Sequence, residues 1–259
     1  MFPLRILFRV AGVLFWVLSG WILILFQPIW PLSFRRVVIR LWSRLLLLIL
    51  GIRIDLKGKL PEGGALLVAN HVSWLDIFVI NSHRATHFVA KSEIRDWPVL
   101  GFLVGRAGTF YLDRGRGRDA LRVMHHIRAV MEQGEWVALF PEGGIGDGLT
   151  VRPFRGFLFE SAAGQSVPVC PIALKYTDEQ GLPHLAPIWF DVSFFRSFMR
   201  VVAAQHIVVQ AETCPLLTDP DRRVLAHHAR TLIVQKLGGG SGRARDREHL
   251  PIVKPYSGK

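Results

Sequence analysis

Cysteine is nearly absent from this 259-residue chain: Cys170 and Cys214 are the only two. Two thiols without metal-ligand spacing build neither a disulfide framework nor a zinc site, which suits a reducing compartment. Acidic residues are also scarce, 20 against 32 lysines and arginines, for a formal net charge of +12. That excess calls for an anionic partner: lipid headgroups, an acidic donor substrate or nucleic acid. No zinc finger, aromatic RNA-binding signature or helix-turn-helix pattern supports nucleic acid. Metal spacing is missing among the histidines too. The adjacent pairs His125–His126 and His227–His228 fall on expected helices, where neighbours face different ways. There is no internal repeat.

Hydrophobic residues, by contrast, are abundant, 50% of the chain, with a mean hydropathy of +0.30. The excess lies at the front. Val10 to Phe26 runs without a charge, close to the ~20 residues a spanning helix needs. A second block, Leu41 to Ile52, is interrupted by Arg44 and is too short to span, so it reads as an interfacial or re-entrant helix. No small-residue cleavage site follows the first run, which argues against a removed signal peptide. Arg5 and Arg9 precede that run, and Arg35, Arg36, Arg40 and Arg44 follow it. Whether the segment spans once or dips in as a hairpin, the positive-inside bias places the remainder on the cytoplasmic face of a membrane, here expected to be a bacterial inner membrane. Anionic membrane lipids are thus the expected surface partner, each nearby basic residue contributing ~1 kcal/mol.

Beyond residue 52 short apolar runs alternate with helix-like stretches. Expected strands are Ala65–Ala69, His87–Ala90, Thr109–Leu112, Trp136–Phe140, Val169–Leu174 and Ile207–Gln210. Expected helices are Arg118–Glu132, Phe154–Ala163 and Asp221–Leu237, the last stopped by Gly238-Gly239-Gly240. This alternation predicts an α/β domain with a mixed, mostly buried sheet flanked by helices. Three segments follow: a membrane anchor over 1–52, an α/β domain over 53–237 and a flexible basic tail over 238–259.

The chemistry-bearing residues cluster in Asn70-His71-Val72-Ser73-Trp74-Leu75-Asp76 and Phe140-Pro141-Glu142-Gly143. On one continuous helix, residues five apart lie ~140° from each other, so His71 and Asp76 meet only if a turn at Asn70–Ser73 leads into a helix through Trp74–Ile80. Histidine suits general-base work because its pKa lies near physiological pH. A carboxylate on its other nitrogen fixes the tautomer and stabilises the imidazolium. Glu142 reads either as a substrate-facing acid or as a surface acid at a strand end. Gly143 and Gly144 permit close approach to a ligand, including oxyanion stabilisation by backbone N–H groups, or simply a tight turn. Arg114, Arg116 and Arg118 open a helix and read as a phosphate-capturing loop or a solvated basic face. Ser73 and Cys170 are conceivable nucleophiles, but Ser73 is also a natural N-cap and Cys170 lies in an apolar run.

Asn70-His71-x-x-x-x-Asp76 resembles the signature block of the glycerolipid acyltransferases of the 1-acyl-glycerol-3-phosphate type. Gly108-Thr109-Phe110-Tyr111-Leu112-Asp113-Arg114 resembles the family's second block, Phe140-Pro141-Glu142-Gly143 the third, and Val167-Pro168-Val169-Cys170-Pro171-Ile172-Ala173-Leu174 the fourth, all in family order. The resemblance spans roughly Leu66 to Leu174. It implies acyl transfer from a thioester to a lysolipid hydroxyl, with His71 as base, Asp76 as its partner, and Arg114, Glu142, Gly143 and Arg155 on the substrate side. It also implies acyl-CoA or acyl carrier protein as donor and no bound metal or cofactor. One departure stands out. Gly144-Ile145-Gly146 replaces the Thr-Arg-Ser common in phospholipid-making members, removing an expected phosphate ligand. Arg114, Arg152, Arg155 and Lys175 are candidate replacements. Family members lacking that arginine include acyltransferases for other lysolipids such as lyso-ornithine lipid.

Overall fold

The computed structural model describes residues 2–96, 105, 106, 108–112, 117–165 and 167–238. Arg114, Arg116 and nearly all of the expected tail lie outside the described residues.

Seven strands form one sheet: β1 Ile52–Lys57, β2 Ala65–Ala69, β3 His87–Lys91, β4 Phe110–Leu112, β5 Trp136–Leu139, β6 Val169–Thr177 and β7 Ile207–Thr213. Their order is β1-β7-β6-β2-β5-β3-β4. Every neighbouring pair is parallel except β6–β7. The helices are α1 Phe2–Phe26, α2 Leu32–Ile49, α3 Asp76–Asn81, α4 Gly117–Glu132, α5 Phe194–Ala203 and α6 Arg222–Lys236.

The central strands read as unbroken apolar runs because both sheet faces are covered. Ala65, Leu67 and Ala69 of β2 point into one core with Trp16, Leu46 and Leu47. Leu66 and Val68 point into the other, with Met124 and Ile127 of α4 and Leu225 of α6. Because β6, β2, β5, β3 and β4 run the same way, their carboxyl ends share one edge, the usual place for a site in such sheets. His71 follows β2 and Glu142 follows β5 at that edge.

α1 and α2 form a hairpin packed on the first of these cores. The Trp16 and Trp42 rings stack at 3.7 Å, and each indole N–H donates to the other residue's carbonyl, at 2.8 and 3.2 Å. Gly20 permits this approach, since a Cβ there would collide with Trp42. At the open end of the hairpin Arg5 donates to the Ala203 carbonyl at 2.9 Å, and Arg9 donates to the carbonyls of Val202 and Ala204. The outward side remains apolar: Leu7, Phe8, Leu18, Leu25 and Leu48 are each more than 60% exposed. Leu4–Ile29 is long and apolar enough to cross a bilayer. The hairpin shares a core with the sheet through Trp16, Leu46, Leu47 and Leu50.

Several boundaries differ from expectation. Phe154–Ala163 is not a helix; a 3-10 turn, Gly156–Phe159, is all that forms there. Pro153 and Gly156 bracket its start and Gly164, at φ 67°, closes it, while Arg128 takes the carbonyls of Glu160 and Ser161. β6 and β7 run three residues further than expected, zipped together as far as Thr177↔Val208 and Ile172↔Thr213. β1 and α5 were not anticipated. The expected Leu41–Ile52 block divides into the end of α2 and the start of β1, and the expected Trp74–Ile80 helix starts at Asp76.

The chain entering β2 passes beneath the end of α4, and a Cβ on Gly64 would overlap the Met131 carbonyl, with the Glu135 oxygen at 3.2 Å. Gly63 faces open space. Gly64→Ala should therefore cost at least ~2 kcal/mol by backbone displacement, a fall in Tm on the order of 5 °C. Gly63→Ala should leave Tm within a degree or so, and thermal unfolding in detergent compares the two.

Candidate active site

β2 ends at Ala69, and the next residue replaces a strand by its side chain. Asn70 donates to the Leu174 carbonyl at 2.9 Å and accepts from its N–H at 2.8 Å. This clip holds the following turn against β6. Asp76 then opens α3 with its side chain fully buried. Oδ2 accepts from the His71 ring at 2.9 Å and from the backbone N–H groups of Val72 at 2.9 Å and Ser73 at 3.0 Å. Oδ1 accepts from the Tyr176 hydroxyl at 2.6 Å. A turn thus brings His71 and Asp76 together.

The His71 ring stacks on Phe140 at 4.0 Å and 13°, and its side chain is 16% exposed. With Nδ1 directed at an ionised carboxylate, the neutral ring carries its proton there, leaving the Nε2 lone pair for proton abstraction. The His71 backbone is held as well: its N–H donates to Glu142 Oε1 at 3.0 Å, and its carbonyl accepts from Gly146 at 2.6 Å.

Glu142, expected on the substrate side, is buried. Its second oxygen accepts from the Arg152 N–H at 2.9 Å, with Arg152 Nε at 3.6 Å. Both oxygens therefore brace this chain's own turns. Gly143 takes φ 75° and donates its N–H to Phe140 at 3.1 Å, the tight-turn reading of that glycine. Arg155 is exposed, its backbone tied to the Pro141 carbonyl at 3.0 Å. Among the candidate replacements that lie in the described residues, Arg152 reaches the departing turn, donating to the Gly144 carbonyl at 2.6 Å. Lys175 alternates with Leu174 and Tyr176 along β6, so it points to the opposite sheet face.

Ser73 is fully buried and accepts from Leu75 N–H at 3.2 Å, which stops it from acting as an exposed nucleophile. Cys170 is fully buried, and burial pushes its thiol up to about 12. Trp74 lies beside Phe78 and Phe194, with ring centroids 6.1 and 5.6 Å away. These rings wall one side of the His71–Asp76 turn, and Trp189 joins them, its backbone N–H donating to the Val72 carbonyl at 2.8 Å. Tyr176 is the residue that sequence reasoning missed. Its signal was present as a polar residue at the alternation position after Leu174, just beyond the expected strand end.

Glu142→Gln replaces one acceptor oxygen by an NH2 group facing a backbone donor. Activity should fall at least tenfold and stability by about 1–3 kcal/mol, to be read by initial rates and thermal melting of the same preparation.

Comparisons with known proteins bear on the family and the fold. An acyltransferase family model matches residues 51–175. A 1-acyl-sn-glycerol-3-phosphate acyltransferase of Neisseria meningitidis serogroup B is 35% identical over 184 residues, covering 70% of this chain and 72% of that one. A lyso-ornithine lipid O-acyltransferase of Pseudomonas aeruginosa is 30% identical over 216 residues, covering 82% and 83%. In fold, the chain resembles the 1-acyl-sn-glycerophosphate acyltransferase of Thermotoga maritima, with a TM-score of 0.64 at 15% identity, over 93% of this chain and 98% of that one. The chain is an acyltransferase and belongs to the family typified by 1-acyl-sn-glycerol-3-phosphate acyltransferase.

Proposed function

We propose that the protein is a membrane-bound O-acyltransferase that moves a fatty acyl group from a thioester to the free hydroxyl of 1-acyl-sn-glycerol-3-phosphate, giving phosphatidic acid. The observation that carries this reading is the His71–Asp76 pair at 2.9 Å, with Nε2 left for the acceptor hydroxyl. His71 takes the hydroxyl proton as that oxygen attacks the thioester carbonyl. The tetrahedral intermediate collapses with loss of the thiolate, which recovers the proton from the imidazolium. Asp76 supports the imidazolium between those events. Acyl-CoA or acyl carrier protein serves as donor, and neither a metal nor a bound cofactor is required.

The exposed apolar side of the α1–α2 hairpin supports membrane attachment, and arginines of α2 suit anionic headgroups. Attachment on the cytoplasmic face would hold the site beside a membrane-resident acceptor while a soluble donor arrives from the other side. Arg152, at the turn that lacks the family arginine, is the candidate phosphate ligand, together with Arg114 and the exposed Arg155.

A second acceptor, lyso-ornithine lipid, is favoured by Gly144-Ile145-Gly146 and by the similarity to lyso-ornithine lipid O-acyltransferases of Pseudomonas aeruginosa and Rhizobium meliloti. A transfer assay in detergent micelles with labelled acyl-CoA and acyl carrier protein against both lysolipids decides between them. Phosphatidic acid formation is the expected result, and product from lyso-ornithine lipid alone would reassign the acceptor. His71→Ala should lower turnover at least ~10³-fold while the protein still floats with vesicles. Surviving turnover would remove His71 from the reaction.

A further inference from the structure

We propose that Tyr176 is a positioning residue that sets the proton affinity of the His71–Asp76 pair, a role resting on the reading of His71 as the base. The two oxygens of Asp76 are used unequally. Oδ2 receives three donors, two of them backbone N–H groups of the catalytic turn, whereas Oδ1 receives the Tyr176 hydroxyl at 2.6 Å. That short distance is typical of O–H donation to a charged oxygen. Both side chains lie in a dry interior, where a hydrogen bond to charge is stronger and an orphaned acceptor is costly.

The donor itself is rigidly placed. Tyr176 lies in β6, paired with Val209 of β7, and its carbonyl accepts from His184 at 3.0 Å. The same strand supplies Leu174 to the Asn70 clip, so β6 grips the catalytic turn at both its entry and its carboxylate. Burial first, and then the Asp76 charge, raise the Tyr176 phenol well above its ordinary 10.0. The same burial and the same charge favour the phenol as an O–H donor to Oδ1.

The consequence for catalysis has a definite sign. Donation to Oδ1 stabilises the ionised carboxylate and draws charge away from Oδ2, so the coupled pair releases its proton more easily. The base must be unprotonated to act, and the acid side of the pH–rate profile reports that release. Without the hydroxyl, the pair keeps its proton to higher pH. Charged and titratable groups around the pair include Tyr176 from β6, Glu142 through the His71 N–H, Arg152 behind Glu142, and Arg44 of α2, held by the Ser82 carbonyl at the far end of α3.

The test replaces one hydroxyl and also strengthens it. Tyr176→Phe should move the acid limb of kcat/KM upward by about one pH unit and lower kcat about tenfold with little change in KM. Incorporation of 3,5-difluorotyrosine at 176 keeps the shape and makes a stronger donor, so the limb should move down. That variant carries the test if the phenylalanine variant fails to fold. Titration of the His71 ring nitrogens by NMR, identified by difference against His71→Ala, reads the same displacement without any substrate. An acyl-transfer failure would strike the proposed reaction and leave this readout standing. A limb and a ring titration unmoved in the folded variants, whatever happens to Tm, would make Tyr176 purely structural and overturn the inference.

Discussion

The catalytic turn is organised around one buried negative charge. A carboxylate taken wholly out of water is costly unless donors replace the solvent it has lost. Asp76 meets that demand with four: an imidazole, two backbone N–H groups and a phenol. The backbone donors force Val72 and Ser73 to curl over the carboxylate, and that curl brings His71 back across five residues. The geometry of the base is thus a by-product of satisfying the acid. Glu142 repeats the solution on the next strand. Its buried carboxylate accepts from the backbone of His71 and of Arg152, joining the turns after β2 and β5. One carboxylate holds the ring of His71 and the other holds its main chain.

Much of this was legible in the sequence where local pattern and tertiary environment agree. Ala65–Ala69 and Trp136–Leu139 are buried on both faces, and their continuous apolar runs announce it. The His71–Asp76 turn was legible because five-residue spacing excludes a single continuous helix. β1 was hidden by its own exposure: Ile52–Lys57 alternates buried and solvent-facing residues and carries three charges. α5 was hidden because three phenylalanines and two arginines within ten residues read as readily as interface or core filler. Phe154–Ala163 misled in the opposite direction, since its apolar periodicity is real while Arg128 takes the Glu160 and Ser161 carbonyls and Gly164, at φ 67°, turns the chain away.

Site roles were harder to read than site positions. Glu142 read either as a substrate-facing acid or as a surface acid at a strand end, and its oxygens accept from the backbone amides of His71 and Arg152, which no linear pattern marks. Tyr176 stands 100 residues from the carboxylate it contacts, and the contact exists only because β6 pairs with β2. Arg152 is eight residues from Gly144, and it becomes a neighbour once Glu142 has drawn the turn shut. In each case the missing information is a long-range pairing, which composition and spacing do not encode.

The sheet also divides the molecule into two unlike sides, and this bears on how a lipid and a soluble donor could meet. One side is covered by the apolar hairpin, with arginines tying its open end to the carbonyls that close α5. The opposite side is covered by α4 and α6, in which 7 of 16 and 8 of 15 residues are charged or polar. The His71–Asp76 turn lies at the carboxyl edge on the hairpin's side, with Val72, Trp74 and Leu75 in the core that the hairpin shares. A hairpin resting on lipid would therefore leave His71 at the boundary, its apolar flank toward the acceptor's chains and its polar flank toward water. On that view, anchoring the hairpin by its end carbonyls does more than hold a helix in place. With the hairpin resting on lipid, as proposed, it would also set the height of His71 above the lipid surface, while the Asp76 carboxylate orients the ring.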